Sequence, residues 1–98
     1  MLKALTKQEI MQQLKSSDKW SIHTQELKRS WEFSDFQEAM SFIVRVAFLA
    51  EQHNHHPVIT NVYNKVELRL TTHDADNQVT ERDIALANSI GDIGHRAE

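Results

Sequence analysis

The chain contains no cysteine, and that absence removes disulfides, thiolate nucleophiles and cysteine-ligated zinc sites together. Stability is therefore expected to come from packing alone, in a reducing compartment. Proline occurs once, at Pro57, and glycine only twice, so no proline- or glycine-rich linker divides the chain. Long apolar runs are also missing. The start MLKALTKQEIMQQLK is interrupted by charge too early for a signal peptide, and nothing approaches the ~20 apolar residues of a membrane span. A cytoplasmic protein with no membrane partner is the expectation. Neither sign of charge dominates: 11 basic against 14 acidic residues leave a formal charge of −3. Such a chain offers no broad basic surface to a phosphate backbone, so nucleic acid is not expected as a direct partner. Ninety-eight residues, 40% of them hydrophobic, suffice for one core and not for two, which predicts a single domain over residues 1–98.

What is present is strongly periodic. Thr6 and Glu9 have the spacing of a capping box and predict a short helix with Ile10, Met11 and Leu14 inward. Trp20 and Ile22, then Leu27, Arg29, Trp31 and Phe33, alternate at strand period and predict a hairpin. Ser34 to Gln37 has capping-box spacing again, and Phe36, Ala39, Met40, Ile43, Ala47 and Ala50 trace a helical stripe from about Asp35 to Glu51 or beyond. Pro57 disfavours helical geometry at His56, so this helix is expected to end near the histidines and pass into extended chain. A short strand Val58-Ile59-Thr60 is expected next. Val62, Val66, Leu68 and Leu70 then share one strand face, with Tyr63, Lys65, Glu67 and Arg69 on the other. Thr80 caps a last helix whose inner side carries Ile84, Ala87, Ile90 and Ile93. The order α-β-β-α-β-β-α predicts an α+β fold, a four-stranded antiparallel sheet with three helices on one face.

Six histidines are unusual punctuation for so small a domain, and four of them, His53, His55, His56 and His73, lie between Glu51 and His73. His23 and His95, each alone, are most simply solvated side chains. Two chemistries fit the cluster. Imidazole is a common metal ligand, but no His-Glu-x-x-His helix is present and adjacent His55 and His56 project differently in extended chain. Imidazole is also the side chain that gives and takes protons near neutral pH. Glu51, four residues before His55 and near a helix end, is placed to hydrogen-bond a ring and fix its tautomer.

The combination of Glu51, His55-His56-Pro57, Asn61 to Val66, Thr72-His73 and Thr80 to Ala87 closely resembles the pterin-4a-carbinolamine dehydratases, also called 4a-hydroxytetrahydrobiopterin dehydratases. The family is also known as the dimerization cofactor of a homeodomain transcription factor. The similarity extends upstream through LKRSWEFSDFQEAMSFIVRVAFLAE to Trp20 and covers most of the chain. The resemblance implies the fold read above, assembly into homodimers or homotetramers, and neither metal nor cofactor, the tetrahydropterin being the substrate. It implies His55, His56 and His73 as catalytic histidines with Glu51 as their carboxylate partner. Asn54, Thr71, Thr72 and Asp74 are then expected to meet the pterin, with Trp20 flanking it. The competing class is a non-enzymatic interaction module on the same fold, as in the transcriptional cofactor. A retained set of Glu51 and three histidines favours the enzyme.

One segment departs from the family. Where relatives usually have a glycine turn, this chain reads Asp74 to Val79, with Asn77 expected to supply the left-handed residue. Asp83 aligns with an acidic family residue and is expected to be structural, an acid in the first helical turn facing the helix dipole.

Overall fold

Local capping starts the fold. Thr6 Oγ1 accepts from the Glu9 backbone N–H at 3.1 Å and Glu9 Oε1 accepts from the Thr6 N–H at 2.9 Å, so α1 (Lys7–Gln13) begins where its sequence places it. The computed structural model describes residues 2–93; His95 lies outside them. Ile10 and Leu14 are buried, but Met11 is exposed, because one helical step turns a side chain about a quarter of the way round the axis.

Strands β1 (Ser21–Ile22), β2 (Leu27–Glu32), β3 (Val58–Val62) and β4 (Lys65–Leu70) form one antiparallel sheet in the order β1-β2-β4-β3. With α2 (Phe36–His53) and α3 (Glu81–Asp92) the order is α-β-β-α-β-β-α, as the periodicities predict. The core face of the central pair is set by register: Leu27 opposes Leu70, Arg29 opposes Leu68, and Trp31 opposes Val66. The Arg29 guanidinium lies there 4.7 Å from the Trp31 ring centroid and 5.6 Å from that of Trp20, contacts that recover part of the cost of burying charge.

Three local readings are corrected. The N-cap of α2 is Asp35, accepting from the Glu38 N–H at 2.9 Å, one residue later than the Ser34–Gln37 box; Ser34 instead donates its N–H to Glu38 Oε1 at 3.0 Å. The buried stripe of α2 is Ala39, Phe42, Val46 and Ala50, whereas Phe36, Met40 and Ala47 are exposed. Apolar residues cover a wide arc of the helix, bounded by Gln37, Glu38, Ser41 and Arg45, so periodicity alone could not select which part of that arc faces inward. Val62 does not share a face with Val66. A two-residue turn at Tyr63 and Asn64, with Tyr63 at φ 50°, pairs Val62 with Lys65 and turns Val62 to the open face, 69% exposed.

Among the described residues, apolar side chains are exposed on the edge strand β3, at Val58, Ile59 and Val62, and on the outer side of α2, at Phe36, Met40, Val44 and Phe48. No helix among the described residues is long and apolar enough to cross a membrane.

Candidate active site

The histidine corner is built by the way α2 ends. Asn54 takes the left-handed conformation (φ 50°) and its N–H bonds the carbonyls of Ala50 and Glu51, a helix stop for which asparagine is suited. The His55 N–H then bonds back to the Ala50 carbonyl at 3.0 Å, drawing His55 under the helix end before Pro57 passes the chain into β3. Successive side chains of extended backbone point oppositely. His55 is accordingly buried, and His56 turns outward with its side chain 59% exposed.

The second segment is the end of β4. The alternation that puts Leu68 and Leu70 in the core continues to Thr72, which is 2% exposed. Thr72 Oγ1 donates to Asp83 Oδ2 at 2.7 Å, and His55 Nε2 lies 2.6 Å from Asp83 Oδ1. The Thr80 N–H donates to Asp83 Oδ2 at 2.9 Å. Because the single Thr72 hydroxyl proton is committed to Asp83, the 2.7 Å contact between Thr72 and Thr80 hydroxyls has Thr80 as donor. The fully buried Asp83 carboxylate accepts from the Thr72 hydroxyl and the Thr80 N–H on one oxygen and offers the other to His55. A His55 ring that donates to that oxygen carries its proton on Nε2 and leaves the Nδ1 lone pair open.

Asp83 is thus more than the dipole partner of α3. It forms the capping box with Thr80 and also ties His55 to Thr72, the residue before His73. Its signal is in the sequence: Asp83 falls on the same helical stripe as Ala87 and Ile90, a carboxylate placed where the pattern asks for an apolar residue. Glu51, expected beside His55, bonds His56 instead, with Oε2 2.7 Å from Nε2.

His73 opens a one-turn 3-10 segment (His73–Ala75). Asp76 and Asn77 follow at φ 61° and 57°, so Asn77 does supply a left-handed residue, in company with Asp76. The turn is closed by a Thr72 N–H to Gln78 carbonyl bond of 3.1 Å, and His73 Nδ1 lies 3.4 Å from Asn77 Oδ1. The other expected site residues are placed less distinctively. Asp74 is exposed, and the Thr71 hydroxyl is buried with no partner among the described residues. Trp20 is 6% exposed and packs edge-on to Trp31 at 6.1 Å, which makes its ring part of the core. His53 lies outside this set, bonded through Nε2 to Ser89 Oγ at 3.0 Å.

Among the described residues no three His, Asp or Glu side chains are grouped to hold a metal ion. A surface cavity of about 550 Å³ on the open face of the sheet, lined by Thr60, Val62, Lys65 and Glu67 among others, contains none of the histidines.

The chain has relatives. A protein of Burkholderia pseudomallei bearing the name pterin-4-alpha-carbinolamine dehydratase is 45% identical over 100 aligned residues, covering 100% of this chain and 98% of its own. One of Christiangramia forsetii with the same name is 43% identical, covering 95% of each. The crystal structure of a transcriptional coactivator/pterin dehydratase from Brucella melitensis superposes with a TM-score of 0.84 at 36% identity, over 95% of this chain and 100% of that one. The family profile described as pterin 4 alpha carbinolamine dehydratase matches residues 3–93, and the chain belongs to that family.

Proposed function

We propose that this enzyme dehydrates 4a-hydroxytetrahydropterin to quinonoid dihydropterin by histidine acid-base chemistry, without metal or cofactor, as a cytoplasmic step in tetrahydropterin recycling after an aromatic amino-acid hydroxylase. The observation that carries the reading is the Asp83 carboxylate, which bonds His55 on one oxygen and Thr72, next to His73, on the other. The reaction asks for two proton transfers at neighbouring atoms. An acid protonates the hydroxyl leaving the bridgehead carbon as water, and a base takes the proton of the adjacent ring nitrogen, so the product is neutral overall.

Two imidazoles on separate segments divide that work. His55, backed by a buried carboxylate, is suited to hold a transferable proton at Nδ1, since the imidazolium so formed is paired within the protein. His73, backed by a neutral amide, is suited to accept the ring-nitrogen proton. His56, held by Glu51 at the surface, is an orienting donor to the pterin. Asn54, Thr71, Thr72, Asp74 and Trp20 are the further residues proposed around the substrate. Thr72 and Trp20 act there mainly by shaping the wall, because both are buried.

The test is a hydroxylase-coupled assay in which the carbinolamine is generated in place. Added protein should speed formation of the quinonoid product above its spontaneous rate, and dialysis against a chelator should leave that acceleration unchanged. Activity lost on chelation and restored by one metal ion would replace proton transfer with Lewis-acid catalysis.

The proposal includes self-assembly. Edge strand β3 presents unpaired backbone groups flanked by Val58, Ile59 and Val62, and an identical edge related by a two-fold axis satisfies them. The outer side of α2 provides a second apolar surface for doubling the dimer. Light scattering at micromolar concentration should return the mass of a dimer or tetramer; a monomer would contradict this assembly.

A further inference from the structure

We infer that Asn77 is a positioning residue for His73: its side-chain carbonyl accepts the Nδ1–H of the ring and so presents the Nε2 lone pair to the substrate. This rests on the dehydratase reading above and adds to it a residue from the turn in which the chain departs from its family's usual glycine.

The turn needs a residue at φ 57° at this point, and glycine would meet that need with the least strain. Asparagine meets it with a side chain that does something glycine cannot. Oδ1 lies 3.4 Å from His73 Nδ1, and the carbonyl oxygen of an amide only accepts, so the contact selects the tautomer protonated on Nδ1. The backbone fixes the geometry of the pair. The Asp76 N–H bonds the His73 carbonyl at 3.0 Å, the Ala75 N–H bonds the Thr72 carbonyl at 3.1 Å, and the Thr72 N–H bonds the Gln78 carbonyl. His73 and Asn77 are therefore held on one closed loop, itself anchored through Thr72 to Asp83.

The three site histidines are then each tied at one ring nitrogen: His55 and His56 at Nε2 by carboxylates, and His73 at Nδ1 by an amide. The amide differs in kind. It chooses a tautomer without adding negative charge, as suits a ring that must begin neutral in order to accept a proton.

Substitution by glycine separates this role from that of a turn residue, since Asn77→Gly keeps the backbone conformation and removes the acceptor. The readout is the tautomer of His73, from long-range proton–nitrogen correlation NMR at a pH where the imidazoles are neutral, with the signal identified by its loss in His73→Gln. The native protein should show a protonated Nδ1 and an unprotonated Nε2. Asn77→Gly should shift the balance toward the Nε2–H form and lower kcat several-fold with little change in KM, and Asn77→Asp, which keeps an acceptor, should restore the native tautomer. A native His73 protonated on Nε2, or a glycine variant with the native tautomer and native kcat, would reduce Asn77 to a turn residue. The tautomer readout does not depend on whether the protein proves to be a dehydratase, which the coupled assay decides separately.

Discussion

His55→Ala and His73→Ala are each expected to lower the dehydration rate by roughly 10²–10⁴-fold, the range for loss of one positioned proton-transfer group. Each variant removes one of two transfers that must occur together, and water in the vacated space is a poorly placed substitute. His56→Ala should behave differently. His56 is exposed and held by a surface carboxylate, so as an orienting donor it binds ground and transition states alike, and its removal should raise apparent KM more than it lowers kcat. His53→Ala is the control within the same corner. Its ring is bonded to Ser89 on α3 rather than to any member of the His55 network, so near-native activity is expected. Rates must be read above the spontaneous dehydration of the carbinolamine.

Asp83→Asn should be nearly as damaging to turnover, by about 10²-fold or more; in a Ser-His-Asp triad the equivalent change costs about 10⁴-fold through the wrong imidazole tautomer. The three groups facing this carboxylate are all donors: the His55 Nε2–H, the Thr72 hydroxyl and the Thr80 N–H. An amide presents one acceptor and one donor, and one face must therefore meet the wrong partner. Turned with its NH₂ toward His55, it withdraws the acceptor from the Nε2–H, and the imidazolium that delivers the Nδ1 proton loses its paired charge. Turned the other way, it sets NH₂ against Thr72 and the α3 cap. Asp83→Ala leaves all three donors without an acceptor in a fully buried place and should cost stability by about 1–3 kcal/mol for each donor left unpaired. Urea denaturation measures that loss, and activity of the folded asparagine variant measures the first. Native turnover in Asp83→Asn would show that His55 does not depend on this carboxylate.

Sequence periodicity was sufficient for the element order because each element has a single dominant signal: the capping pairs Thr6/Glu9 and Thr80/Asp83, the alternation in β2 and β4, and Pro57 after α2. It failed where two signals overlapped. In α2 both sides are apolar, and the inward side was settled by Phe42 packing against Trp31 at 4.8 Å and Phe33 at 5.1 Å, contacts between residues distant in sequence. Val62 was read into the strand after it because Tyr63 and Asn64 continue an alternating pattern, and the turn there depends on Tyr63 adopting a positive φ, which tyrosine's identity does not announce. In the site, the spacing of Glu51 and the histidines was legible. Which carboxylate serves which ring was not, because the answer depends on His55 and His56 pointing oppositely and on α3 bringing Asp83 beneath the first of them.

The most direct test of the account is the single-turnover rate at which 4a-hydroxytetrahydropterin disappears with the native protein, with His55→Ala and with His73→Ala, each shown folded by circular dichroism. The account predicts acceleration over buffer by the native protein and loss of most of it in both variants. Native-like acceleration in both folded variants, or none by the native protein itself, would contradict it.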